Sequence, residues 1–253
     1  MERITSRQNR WIRHLRQLAR DRAYRREQGE FLCDGAKLLE EALGNRTQIG
    51  FVLLRDNRIA PDLSRLGDVP VSVAEESVFA YASPLENSPG PLFTVRIPEP
   101  EVQTPRRVLL LESLQDPGNV GTVIRTANAL GIGAVLLVGA CADLYHPKTV
   151  RATMGAIFRQ RVEKHTVASL QRLLSAWKMP LAGAVLSERA ENILQTDLTC
   201  CACAVGSEGS GLSRELIDLC SREVIIPMQP ESESLNAAVA ASIIMWEMRG
   251  RAI

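Results

Sequence analysis

From about residue 107 onward the chain alternates between short apolar runs and segments of helical period. The runs at 108–111, 134–138, 181–186, 202–206 and 224–226 are largely aliphatic, the pattern of strands buried on both faces. Between them, apolar residues three and four apart predict helices at 120–130, 148–154, 170–177 and 212–219. A further helix, rich in small and apolar residues, is expected after Ser234, which is placed as its N-cap. Strands alternating with helices predict an α/β unit with a mostly parallel sheet and helices on both faces.

The first hundred residues follow another pattern. Their opening segment reads as a helix with Trp11, Leu15 and Leu18 on one face and Arg13, Arg16 and Arg20 on the other. A turn and strand at 29–35, a helix at 36–43, and strand-like runs at 49–54, 69–73 and 92–97 complete a smaller α+β domain. Pro98, Pro100 and Pro105 then interrupt any core pattern and mark a linker. The expected division is residues 1–98 and 107–253, joined by 99–106.

Composition narrows the class. The chain has 253 residues, 45% of them hydrophobic but only 4% aromatic, so its core must be aliphatic. The longest uncharged apolar stretch, 237–246, falls well short of the roughly 20 residues a membrane span needs. With no hydrophobic signal segment at the start, a cytoplasmic protein is expected. Six cysteines show no secreted disulfide framework. Cys200 and Cys203 form a C-x-x-C, yet no second pair has metal spacing and His14, His146 and His165 are scattered, so no metal is expected.

The net charge of +1 conceals an asymmetry. Residues 1–27 hold nine arginines against Glu2, Asp21 and Glu27, a net +6 that leaves −5 for the remainder. Arginine suits bidentate contact with phosphate, so Arg13, Arg16 and Arg20 are candidate RNA-backbone contacts. The alternatives are a solvated face on a packing helix and an Arg-rich targeting segment.

Three polar loops carry the candidate chemistry, each following an apolar run and preceding a helix. The first, Asp116-Pro-Gly-Asn-Val-Gly-Thr-Val-Ile-Arg125, turns at Pro117 and Gly118, with Asn119 placed to cap the helix and Arg125 pointing away from its buried stripe. The second, Gly206-Ser-Glu-Gly-Ser-Gly211, can bring backbone amides close to a ligand. Its G-x-x-G-x-G spacing is not that of a dinucleotide fold, and Glu208 would repel a pyrophosphate. The third, from Ile226 to Asn236, places a carboxamide near the positive end of the last helix. In a parallel sheet such loops gather beyond the carboxyl ends of the strands, where ligands bind.

Taken together, Asp116-Pro117-x-Asn119-x-Gly121-x-x-x-Arg125, then Gly206-x-Glu208-x-x-Gly211-Leu212, then Ile226-Pro227-Met228 with Ser234-Leu235-Asn236, resemble the three motifs of the SpoU (TrmH-type) RNA 2′-O-ribose methyltransferases. The resemblance spans about 107–253, and the segment 29–42 is similar to the L30e-like substrate-binding domain that many members carry. It implies a SPOUT-type C-terminal trefoil knot, an S-adenosyl-L-methionine cofactor, an RNA substrate (ribosomal more than transfer RNA) and a homodimer formed through the C-terminal domain. Carried over by position, Ala184, Gly206, Ile226, Met228 and Leu235 would bind the cofactor. Asn119, Arg125, Glu208, Ser234 and Asn236 would form the polar catalytic set. In Gln160-Arg161-Val162 the chain departs from the pattern, since many relatives have proline just before the valine, where Arg161 stands. The alternatives are a non-catalytic RNA-binding protein that keeps the fold and, further off, a nicotinamide-dependent oxidoreductase.

Overall fold

The computed structural model describes residues 1–56, 61–99, 103–229 and 234–250. Residues 100–102 of the expected linker and 230–233 of the third polar loop lie outside the described residues. The chain divides into two units, Met1–Glu99 with Asp143–Phe158, and Pro100–Ala142 with Arg159–Ile253.

The first unit runs β1 (Glu2–Ile4), α1 (Arg10–Arg20), α2 (Arg22–Gln28), β2 (Glu30–Asp34), α3 (Ala36–Gly44), β3 (Ile49–Arg55), β4 (Val71–Ala74), α4 (Glu76–Ala82) and β5 (Leu92–Arg96). Its five strands form a mixed sheet in the order β1-β4-β3-β5-β2. β1 and β3 pair parallel with β4, while β5 runs antiparallel to β3 and β2. The buried stripe of α1 is Ile12, Leu15 and Leu18. Trp11, expected on the same face as Leu15 and Leu18, packs partly buried against their core and stacks on Phe51, ring centroids 4.1 Å apart.

The second unit opens with β6 (Val108–Glu112), α5 (Pro117–Ala129) and β7 (Ala134–Val138). An excursion then carries α6 (Pro147–Ala152) into the first unit, where Val150 and Ile157 join the cluster of Phe31, Leu39 and Phe93. Arg25, 2% exposed, is satisfied there by Asp143 and by the Leu18 carbonyl. The chain returns as β8 (Val162–His165), α7 (Val167–Trp177), β9 (Leu181–Ala184), β10 (Glu191–Asn192), β11 (Ala202–Val205), α8 (Arg214–Ile217), β12 (Arg222–Ile225) and α9 (Ala237–Arg249). The sheet order is β10-β12-β9-β11-β6-β7-β8, and every pairing is parallel. β6, β7 and β11 are buried at every position, as their apolar runs require at all but Glu112, the last residue of β6. Gln160 is buried and donates to the Ile132 carbonyl. Arg161, which stands where many relatives have proline, donates through Nε to Glu163 Oε1 at 2.6 Å.

The order reverses between β11 and β6: successive strands leave β6 toward β7 and β8, whereas β11 leads to β12 on the other side. Such switch points are where open parallel sheets bind ligands.

Two capping expectations are corrected. The last helix is capped not by Ser234 but by Asn236, whose Oδ1 accepts from Ala238 N at 3.0 Å and Val239 N at 3.3 Å. Asn119 does not cap α5; Asp116 does, accepting from Asn119 N at 2.7 Å, with Pro117 in the first turn. Helix α8 is also shorter than the span 212–219, because Leu212 turns into the core and Ser213 becomes the cap.

Candidate active site

With Asp116 serving as cap, the Asn119 side chain is released from local work. Its Nδ2 donates to Glu208 Oε1 at 2.7 Å, and its Oδ1 accepts from Asn236 Nδ2 at 3.4 Å. One carboxamide thus joins all three loops: α5 after β6, the 206–212 loop after β11, and the start of α9. Asn236 uses both ends of its amide, the oxygen as helix cap and the nitrogen toward Asn119.

Behind this chain lies a cleft of about 540 Å³. Ala184, Gly206, Ile226, Met228 and Leu235 all line it, as do Glu208 and Ser234. Gly206 is required sterically: a Cβ there would stand 2.0 Å from the Gly211 carbonyl carbon and 2.4 Å from Leu212 N. The loop therefore closes on itself, with Gly211 N donating to Ser207 O at 3.0 Å and Gly211 at a φ of +64°. No lysine or arginine lines the cleft among the described residues, and Glu208 is its one charged side chain. That chemistry suits a ligand carrying a positive charge and a flat apolar ring, and it disfavours a nucleotide polyphosphate. S-adenosylmethionine, a sulfonium with an adenine, fits it.

Arg125 stands apart. It is exposed and lines neither this cleft nor the groove beside it. Six residues beyond Asn119 amount to roughly 600° of helical turn, which puts it on a different face of α5. The structure therefore brings Asn119, Glu208 and Asn236 together but leaves Arg125 outside that cluster within one chain.

Pattern reading missed that groove. Thr122 and Thr126 of α5, with Leu130 just past its end, face Val239, Ile243 and Trp246 of α9 across about 520 Å³. Val239 is 48% exposed and Trp246 53%. Large apolar residues on the outward side of α9 were the available signal.

In the first unit, a second groove of about 490 Å³ is lined by Arg10, Arg13, Arg16, Arg20 and parts of α2. Arg13 and Arg20 are exposed there. Arg16 is committed internally: it donates to the Tyr81 carbonyl at 2.8 Å and lies 3.7 Å over the Tyr81 ring. Between α1 and β2, His14 bridges Tyr24 and Glu30, and the His14 contact holds the Glu30 carboxyl below its usual range.

Residues 106–246 match the SpoU rRNA Methylase family, and residues 9–92 match the MRM3-like substrate binding domain. The 23S rRNA (guanosine(2553)-2′-O)-methyltransferase RlmP of Bacillus subtilis is 32% identical, covering 99% of this chain and 100% of that protein. An AdoMet-bound rRNA methyltransferase from Sinorhizobium meliloti is similar in structure, with TM-score 0.88 and 25% identity over 98% of this chain and 97% of that one. The SpoU methyltransferase AviRb from Streptomyces viridochromogenes, in complex with AdoMet, gives TM-score 0.84 and 25% identity over 96% and 97%. The chain belongs to the SpoU rRNA methylase family and is an RNA ribose 2′-O-methyltransferase that takes its methyl group from S-adenosylmethionine.

Proposed function

We propose that this enzyme methylates a ribose of ribosomal RNA, of the 23S type, in the cytoplasm and as a homodimer. The observation that carries the reading is the Asn236–Asn119–Glu208 chain set against a cleft that no lysine or arginine lines among the described residues, beyond the carboxyl ends of β9, β11 and β12. The ribosomal target is supported by the relative from Bacillus subtilis, which spans the whole chain. No helix among the described residues is long and apolar enough to cross a membrane.

Bound S-adenosylmethionine supplies a methyl group already activated on a sulfonium. What remains for the protein is alignment and charge. Ala184, Gly206, Ile226, Met228 and Leu235 hold the cofactor, largely through backbone groups of the 206–212 loop and apolar walls. Glu208 offsets its positive charge. Asn119 and Asn236, with Ser234 beside them, orient the ribose so that its 2′-oxygen lies in line with the transferring group; such positioning is worth roughly 7–11 kcal/mol. Arg125 holds the RNA phosphate and stabilises the developing alkoxide. A guanidinium stays protonated, so that role is electrostatic rather than basic, and the 2′-hydroxyl proton passes to water as the new O–C bond forms and the S–C bond breaks.

The homodimer rests on two features of the second unit. The groove between α5 and α9 leaves the large apolar side chains Val239 and Trp246 exposed, a face that a second copy would cover. Arg125 also lies off the Asn119 cluster in its own chain, so a partner copy is the natural source of a completed site. The small residues Ala237, Ala238, Ala240 and Ala241 suit a helix threaded through a trefoil knot. In the first unit, Arg13 and Arg20, with Arg10 beside them, face the RNA backbone, while Arg16 braces α1 against Tyr81.

Mapping ribose methylation across ribosomal and transfer RNA, in cells with and without the gene, tests the target. Loss of one 2′-O-methyl mark in large-subunit ribosomal RNA is the expected result. Loss confined to transfer RNA would overturn the ribosomal assignment, and no loss anywhere would favour a binding protein without activity.

A further inference from the structure

β6 ends in a way its sequence does not require. Four buried aliphatic residues are followed by Glu112, a carboxylate only 7% exposed. A desolvated carboxylate is costly unless its oxygens are bonded. Both are taken by one residue: Ser213 N donates to Oε2 at 2.7 Å and Ser213 Oγ donates to Oε1 at 2.6 Å. Ser213 directly follows the 206–212 loop, and its Oγ also accepts from Leu216 N at 3.2 Å to start α8.

We propose that Glu112 is a positioning residue that sets the 206–212 loop for cofactor binding. The loop closes on itself where Gly206 meets Gly211 and Leu212. Beyond its own internal bonds it is held at two points, at its exit by Glu112 through Ser213 and at its tip by Asn119 through Glu208. Both holding residues come from the segment that leaves β6, the strand adjacent to β11 at the switch point. The placement of the loop's backbone amides is thereby fixed to the same segment that carries Asn119. A residue at 112 with no side-chain acceptor would leave Ser213 N without its partner and free the loop's exit to drift. This inference rests on the cleft being the cofactor site.

Hydrogen exchange on the cofactor-free protein, with calorimetric titration of S-adenosylmethionine and a separate RNA-binding assay, tests it. Loss of a buried charged hydrogen bond predicts that Glu112→Ala weakens cofactor binding by about tenfold or more. The same variant should speed exchange at 206–213, with exchange in the first unit and RNA affinity unchanged. Glu112→Gln should fall between, because its amide oxygen still accepts from Ser213 N. If Glu112→Ala does not fold, Ser213→Ala is decisive: it keeps the backbone bond, and local acceleration at 206–213 is again expected. Unchanged exchange in that loop, or acceleration spread across the sheet with cofactor and RNA binding falling together, would overturn the proposal. Should the wild-type protein fail to bind S-adenosylmethionine, the cofactor reading falls instead, and the exchange data still judge the tether.

Discussion

In the first unit arginines are abundant and many are tied into the fold, whereas the cleft of the second unit is lined by none among the described residues. Arg25 is buried against Asp143, Arg55 bonds Glu76 and the Ser88 carbonyl, and Arg16 lies on Tyr81. What remains exposed along α1, at Arg13 and Arg20, faces an open groove. The second unit instead builds its cleft from glycines, alanines, aliphatic walls and one carboxylate. The two ligands of one reaction call for these opposite solutions. A polyanion is held by charges that salt can screen, and a cationic cofactor by shape and backbone groups that salt scarcely touches.

That contrast can be tested at several points. The largest effect is expected from Arg125→Ala, which should lower kcat by about a hundredfold to a thousandfold, as loss of a key electrostatic group does. Its affinity for S-adenosylmethionine should stay close to wild type. A parallel loss of cofactor affinity would place Arg125 in the cofactor site and remove its assignment to RNA.

Gly206→Ala comes next. A Cβ 2.0 Å from the Gly211 carbonyl carbon cannot be accommodated without moving the loop. Overpacking of this kind costs roughly 1–3 kcal/mol, so cofactor affinity should fall by up to about a hundredfold. RNA affinity should not change, and direct titration of each ligand separates the two.

Replacing Arg13 and Arg20 together by alanine should weaken RNA binding and reduce the salt slope by roughly 1.4–1.8, two phosphate contacts' worth. Arg16→Ala should leave the slope alone and lower the melting temperature of the first unit. Equal slopes for the double variant and wild type would return these arginines to a solvated surface.

The smallest effect is the stability loss of Asn236→Ala, which removes the cap of α9 and costs about 1 kcal/mol by thermal melting, apart from the activity lost with the ribose-orienting amide. Asn236→Ser should restore the cap but not the link to Asn119. If it restored full activity as well, the Asn236–Asn119 contact would have no part in the reaction.

Much of this architecture is legible in the chain because strand runs and helical periods are local properties. The strands β6, β7 and β11 are buried at every position, as their apolar composition requires at all but Glu112. Capping is less legible, since several polar residues compete for each helix start. At α5, Asp116, one residue before Pro117, displaces Asn119, and at α9 Asn236 displaces Ser234. Those two displacements free Asn119 and place Asn236 so that one bond joins them. Long-range pairings leave no periodic trace. Nothing in the pattern around 143–158 assigns that excursion to the first unit, and nothing beside Glu112 announces Ser213, 101 residues away. Arg16 resembles Arg13 and Arg20 in sequence and differs only through Tyr81, which reaches it from α4.

The most direct measurement is to incubate the purified protein with ribosomal RNA and methyl-labelled S-adenosylmethionine, then hydrolyse the RNA in alkali. A 2′-O-methyl group removes the hydroxyl that cleaves the adjacent phosphodiester, so the label should appear in an alkali-resistant dinucleotide and vanish with Arg125→Ala. Label recovered in mononucleotides on a base, or no label transferred at all, would contradict a ribose methyltransferase.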